Sequence, residues 1–134
     1  MNILVPNLGS TSLKYQVLDM PSETSTAKGR YERVSDYRSA IREINAGETR
    51  IDAVAFKSVI AGPDYRGTFI INSKLMDSMR QYLGVAPVHN AIYIEAITAF
   101  SEEMPSTPLV AAFEPEFHRT MPEYAQVYGV PPDW

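Results

Sequence analysis

Cysteine is absent from the 134 residues. That excludes disulfide scaffolds, thiolate zinc sites and cysteine nucleophiles, and it suits a reducing compartment. A basic excess is missing too: 12 Lys and Arg stand against 16 Asp and Glu, a net charge of −4. Nucleic acid selects for concentrated positive charge, so it is not an expected partner. No apolar run approaches the ~20 residues that a membrane helix needs. The opening MNILVPNLGS has neither a basic start nor a small-residue cleavage site. The expectation is a cytoplasmic protein with no membrane contact. Only two His occur, without a spaced carboxylate pair beside them, so there is no zinc signature.

What is present is 45% hydrophobic residues. A chain of this length can bury roughly two thirds of its unfolded surface, enough for one core. Residues 2–6 form an apolar run that enters the turn Asn7-Leu8-Gly9-Ser10, and residues 12–19 alternate as a second strand. The short turn makes the pair a hairpin. A third, exposed strand is expected over 26–34. Ser35-Asp36 caps a helix carrying Tyr37, Ile41 and Ile44, and residues 51–59 read as a buried strand. Residues 61–67 are loop. Asn72-Ser73 caps a second helix with Leu75, Met76, Met79 and Leu83 on one face. Residues 87–90 connect to a third helix over 91–103, and residues 109–113 form a last buried strand. The order β-β-β-α-β-α-α-β predicts one α/β domain, residues 1–134, with a mixed sheet. The tail from Glu114 to Trp134 shows no clear period.

The richest chemistry lies in Asn7-Leu8-Gly9-Ser10-Thr11-Ser12-Leu13-Lys14. An amide, three hydroxyls, a glycine and a lysine share one turn after a buried strand. Hydroxyl and backbone donors suit phosphate oxygens, and Lys14 adds a positive charge. The same residues also suit a polar β-turn with a solvated lysine. Lys57 interrupts an apolar strand, so it either snorkels off an edge or faces an anion. Glu114 follows the last strand, where α/β sheets bring ligands, and could hold Mg²⁺ or order a nucleophile. Glu116 reads as a solvated loop residue. His89 and His118 suit proton or hydrogen-bond donation to an anion, or equally capping and packing.

Taken together, these stretches resemble the acetate kinase family, within the sugar-kinase, heat-shock ATPase and actin superfamily. Asn7 to Lys14 is similar to the family's N-x-G-S-S-S-x-K phosphate hairpin, and Ala27-Lys28-Gly29 with Glu32-Arg33 to its following strand. Ala86-Pro87-Val88-His89-Asn90 resembles A-P-L-H-N-P. FEPEFHRTMP (113–122) resembles F-D-T-A-F-H-x-T-M-P, and Tyr128-Gly129-Val130-Pro131 resembles Y-x-I-P. The resemblance implies a ribonuclease-H-like mixed sheet with helices on its faces. It implies phosphoryl transfer between ATP/ADP and a short-chain carboxylate or acyl phosphate, with Mg²⁺. Asn7 would sit at the metal and phosphates, and Ser10, Ser12 and Lys14 would line the phosphate hairpin. Lys57 and Glu114 would be the catalytic pair. Val59 and Val88 would hold the acyl methyl, and His89 and Asn90 would follow them in the substrate site.

Departures from the family pattern are equally specific. Where the family strand reads H-R-V-V-H-G-G, this chain reads Phe56-Lys57-Ser58-Val59-Ile60-Ala61-Gly62. Lysine keeps the charge of the family arginine but loses its bidentate fork. Glu114 replaces an aspartate, Ala91 replaces a proline, and the linker before Ile51 is compressed. The chain stops where R-R-Y-G-F-H-G would begin. The resemblance therefore implies half of a two-domain cleft, completed by a second domain or a homodimer partner, with little or no kinase activity in the isolated chain. A degenerate, non-catalytic relative that binds a phosphorylated ligand or a protein partner is the alternative.

Overall fold

In a computed structural model, residues 1–58, 60–114, 118, 120–127 and 129–131 are described. The readings placed on Val59, Glu116, Tyr128 and Trp134 lie outside the described residues.

The first two apolar runs pair as their patterning requires. β1 (Asn2–Gly9) and β2 (Ser12–Asp19) form an antiparallel hairpin closed by Ser10 and Thr11. β3 (Thr24–Glu32) returns along β2. It starts earlier than the expected 26–34, because pairing of Thr24 with Asp19 and of Glu32 with Ser12 sets its length. α1 (Tyr37–Asn45) starts after Asp36, whose carboxylate accepts the Arg38 N–H at 3.0 Å. β4 (Ala53–Ser58) is the core of the expected 51–59 strand. α2 (Ser73–Gln81) is capped by Asn72, whose side-chain oxygen accepts the Leu75 N–H at 2.9 Å. Leu83 lies beyond that helix, in a 3₁₀ turn over Tyr82–Gly84.

Two elements differ from the sequence reading. β5 (Thr68–Ile70) is a three-residue strand in a short β-prone run, TFII (68–71), between the expected loop and the expected second helix, and it pairs with β6 (Leu109–Phe113). α3 (Pro87–Glu103) begins four residues before the expected 91. Its first turn includes the expected connector, since Pro87 at the first helical position has φ pre-set and no N–H to satisfy. A short α4 (Glu123–Gln126) lies in the tail.

The six strands make one mixed sheet in the order β3-β2-β1-β4-β6-β5. β1, β4 and β6 are parallel, while β2, β3 and β5 run against their neighbours. This is the ribonuclease-H-like arrangement with an added edge strand. One face carries Leu4, Leu13, Val17, Val54, Phe56, Ala111 and Phe113, all buried in a single core with α1, α2 and α3. Phe56 meets Phe100 of α3 edge to face, ring centroids 5.3 Å apart. The alternate residues, including Val5, Asn7, Lys14, Gln16 and Lys57, are half-buried or exposed on the opposite face. Among the described residues that second face is left open by the long helices.

Arg42 of α1 clamps Glu103 at the end of α3, with Nε donating at 2.7 Å and Nη2 at 2.6 Å. Hydrogen bonding from Arg42 holds the Glu103 carboxyl below its ordinary pKa, against a smaller opposing effect of desolvation. A depressed carboxyl pKa contributes stability above the unfolded value, and that stability is lost as pH falls through the folded value. Glu103→Gln is therefore predicted to destabilise the fold at neutral pH. The difference from the parent should shrink as urea midpoints are taken downward through the carboxylate range. A difference that persists unchanged at acid pH would contradict the clamp.

Candidate functional site

The parallel strands β1, β4 and β6 all end on one edge, at Gly9, Ser58 and Phe113. Carboxyl ends of such strands are where open α/β sheets receive ligands. The hairpin turn projects from this edge and is tied from two sides. Tyr37 Oη donates to the Gly9 carbonyl at 2.8 Å, and the Val34 N–H donates to the Thr11 carbonyl at 2.9 Å. A Cβ at Gly9 would come within 2.7 Å of Ser12 Oγ, so a side chain there would turn that hydroxyl away from its present position. Ser10 and Thr11 at the tip are exposed, and Ser12 is half-buried.

Several of the sequence-selected residues come together here. Asn7 and Lys14 are direct cross-strand partners. β1 and β4 pair at a constant offset, Ile3 with Ala53 and Leu4 with Val54. Asn7 and Lys57 each follow the paired Leu4 and Val54 by three residues, and both side chains are exposed. Lys14, Asn7 and Lys57 thus share the open face towards the carboxyl ends of the parallel strands. Beside them, Lys57 Nζ contacts Glu114 Oε1 at 2.7 Å. Hydrogen bonding and charge from Glu114 raise the Lys57 pKa, so the ammonium persists across the physiological range. Both side chains are solvent-exposed, at 73% and 47%. An exposed pair of this kind is weak and is readily exchanged for a ligand.

The start of α3 meets the same edge differently. Asn90 is fully buried and donates from Nδ2 to the Ile60 carbonyl at 2.9 Å and the Met79 carbonyl at 3.2 Å. It ties α3 and α2 to the segment leaving β4, so its amide group works as a strut and not as an open ligand contact. Asn90 Oδ1 and Ser58 Oγ, also fully buried, have no hydrogen-bond partner among the described residues. Val88 is 65% exposed and is not enclosed by this chain, and His89 is exposed beside it.

Among the described residues there is no group of three or more His, Asp or Glu able to hold a metal. Asn7 and Glu114 offer hard oxygen donors of the type Mg²⁺ accepts. Mg²⁺ commonly takes few protein ligands and completes its shell with phosphate and water. The donor set therefore fits a phosphate-borne Mg²⁺ in kind, and Glu114 would have to leave Lys57 to serve as a ligand.

Sequence reading gave no role to Arg30, which the β2–β3 register sets directly opposite Lys14. Lys28 lies opposite Gln16 on the same face. Alternation in TAKGRYERV puts both cations on one side, but which side, and beside what, depends on a register the sequence does not display.

The chain is thus an α/β domain with a mixed sheet, a polar hairpin and exposed cations towards its parallel carboxyl edge. A sequence model of the Acetokinase family matches residues 39–134. The chain belongs to the acetokinase family. An acetate kinase of Clostridium novyi (strain NT) is 35% identical across 99% of this chain. A solved acetate kinase from Porphyromonas gingivalis covers 98% of the chain with a TM-score of 0.85 at 23% identity, a likeness of fold. A solved propionate kinase from Francisella tularensis subsp. tularensis SCHU S4 covers 98% with a TM-score of 0.81 at 25% identity. The chain spans about 41% of the length of the curated relatives it matches. The alignment with the Clostridium novyi protein runs over 166 residues against 134 here, so at least 32 of its positions have no counterpart. The hairpin lies before the family-model match and within the region aligned to the curated relatives. No helix among the described residues is long and apolar enough to cross a membrane.

Replacing Asn90 by Ala removes both strut donors and leaves two carbonyls short of a partner. The predicted loss of unfolding free energy is about 1–3 kcal/mol, measurable by urea titration. Unchanged stability would contradict the strut.

Proposed function

We propose that residues 1–134 form a single ribonuclease-H-like domain supplying the hairpin-bearing half of an acetate-kinase-type carboxylate phosphotransferase. The reaction would be acetate plus ATP to acetyl phosphate plus ADP, in a cytoplasmic enzyme. The observation that carries this reading is the cross-strand pair Asn7 and Lys14 together with the Lys57–Glu114 pair, towards the carboxyl edge of a chain 35% identical to an acetate kinase over 99% of its length.

Phosphoryl transfer depends chiefly on positioning and on neutralising charge. Ser10 and Ser12 would donate hydroxyl hydrogen bonds to phosphate oxygens, and Lys14 would set its charge against them. Asn7 would hold Mg²⁺ through its amide oxygen, and the bound ion would offset phosphate charge. Lys57 would orient the substrate carboxylate, whose oxygen attacks the γ-phosphorus in line as the bond to the ADP oxygen breaks. Glu114 would lie near the metal or the attacking oxygen. Val59 and Val88 would bound the acyl methyl, with His89 beside the reacting groups and Asn90 acting through the backbone it ties. A second domain, or a homodimer partner, would close the cleft over this edge.

One observation favours a second reading, a degenerate relative that binds a phosphorylated ligand or a protein partner without turnover. The two charges proposed for substrate and metal neutralise each other at 2.7 Å, and both depart from the family pattern that the sequence resembles. A chimera separates the readings: this chain replaces the matching region of the Clostridium novyi acetate kinase, with and without Lys57→Arg and Glu114→Asp. Acetyl phosphate formation by the unmodified chimera is the outcome expected for the catalytic reading. Activity only after both substitutions would establish degeneracy, and a folded chimera inactive in both forms would refute the phosphotransferase assignment.

A further inference from the structure

We propose that the open face of β1, β2 and β3 is a binding groove for an amphiphilic organic phosphate. The anionic head would lie between Lys14 and Arg30, and the apolar body would run back over Val5 and Leu18. The groove is a shallow, solvent-open depression of about 730 Å³ lined by residues of all three strands. That volume is within the usual range for small-molecule sites.

Its chemistry is graded along the strands. Nearest the hairpin, Asn7, Lys14 and Arg30 stand side by side in register. One step back come Val5, Gln16 and Lys28, and a further step along β2 comes Leu18. Cations directly opposite each other in a ladder are destabilising unless something answers their charge. Glu32 pairs with Arg30, and no ion pair is formed by Lys14 or Lys28 among the described residues. Three cations against one carboxylate leave a local positive excess on a chain of net charge −4. Two exposed lysines and an arginine that keeps unshared N–H groups can chelate a dianionic phosphate. Val5 and Leu18 are only half-buried, and they give an apolar body a place to shed water.

The inference rests on the proposed function only for the Lys14 half of the head site. Its own content is the Arg30 side and the apolar floor. Isothermal titration of the 134-residue chain with inorganic phosphate, ethyl phosphate and hexyl phosphate tests it. Hexyl phosphate is expected to bind about tenfold more tightly than phosphate, as covering two or so methylenes would give. Leu18→Ser or Val5→Thr should flatten the dependence on chain length, and the exposed Arg30→Gln should weaken all three ligands. Thermal melts establish that each variant is folded. Phosphate binding that needs Lys14 but gains nothing from the hexyl chain overturns the groove and leaves the phosphate hairpin standing. A chain-length gain that survives both floor variants also overturns the groove, and absence of binding by every ligand overturns both readings.

Discussion

Register is the constraint on which the rest depends. Leu4, Val54, Phe56 and Ala111 are fully buried against the helices, and strand side chains alternate with a period of two. A slip of one residue would expose this row and bury Asn7 and Lys57 in its place. Burying the apolar set therefore also commits Val5, Asn7, Lys14 and Lys57 to the other face. Their outward placement is a by-product of core packing, and no separate interaction is needed to turn those side chains outward.

The direction of the chain supplies the second coordinate. Three parallel strands end on one edge, and two of them run into polar residues, β1 into Ser10-Thr11 and β6 into Glu114. The hairpin tip is held by Tyr37 and Val34, and the segment after β4 by Asn90. Rigid scaffolding thus surrounds an edge whose charged groups remain exposed and weakly paired. Such a division of labour suits a half-site: geometry is fixed from behind, while Lys57 and Glu114 stay exchangeable in front.

Much of the fold was legible because its signals are local. Apolar runs flanking Asn7 to Ser12 announced the β1–β2 hairpin, and the caps Asp36 and Asn72 marked two helix starts. β5 carries β-prone residues, Thr68, Phe69 and Ile70, but three residues are too few to show a period, and their partners lie some forty positions away. Pro87 read as part of a connector although it opens α3. At the site, Lys57 and Glu114 were legible as charges in unusual places, but their mutual pairing was not. Asn90 drew a ligand role from its motif, whereas its burial depends on carbonyls 30 and 11 residues away. Arg30 went unread because only the β2–β3 register sets it against Lys14.

The central claim is that this edge binds an oxyanion of phosphorus through the hairpin and Lys57. Amide-shift mapping of the uniformly labelled chain during titration with inorganic phosphate tests it most directly. Saturable shifts concentrated on Gly9 to Lys14, with smaller ones at Lys57 and none in the core of α3, are the predicted result. Shifts that never saturate, or that gather on the helical side of the sheet, would contradict a phosphate site at this edge.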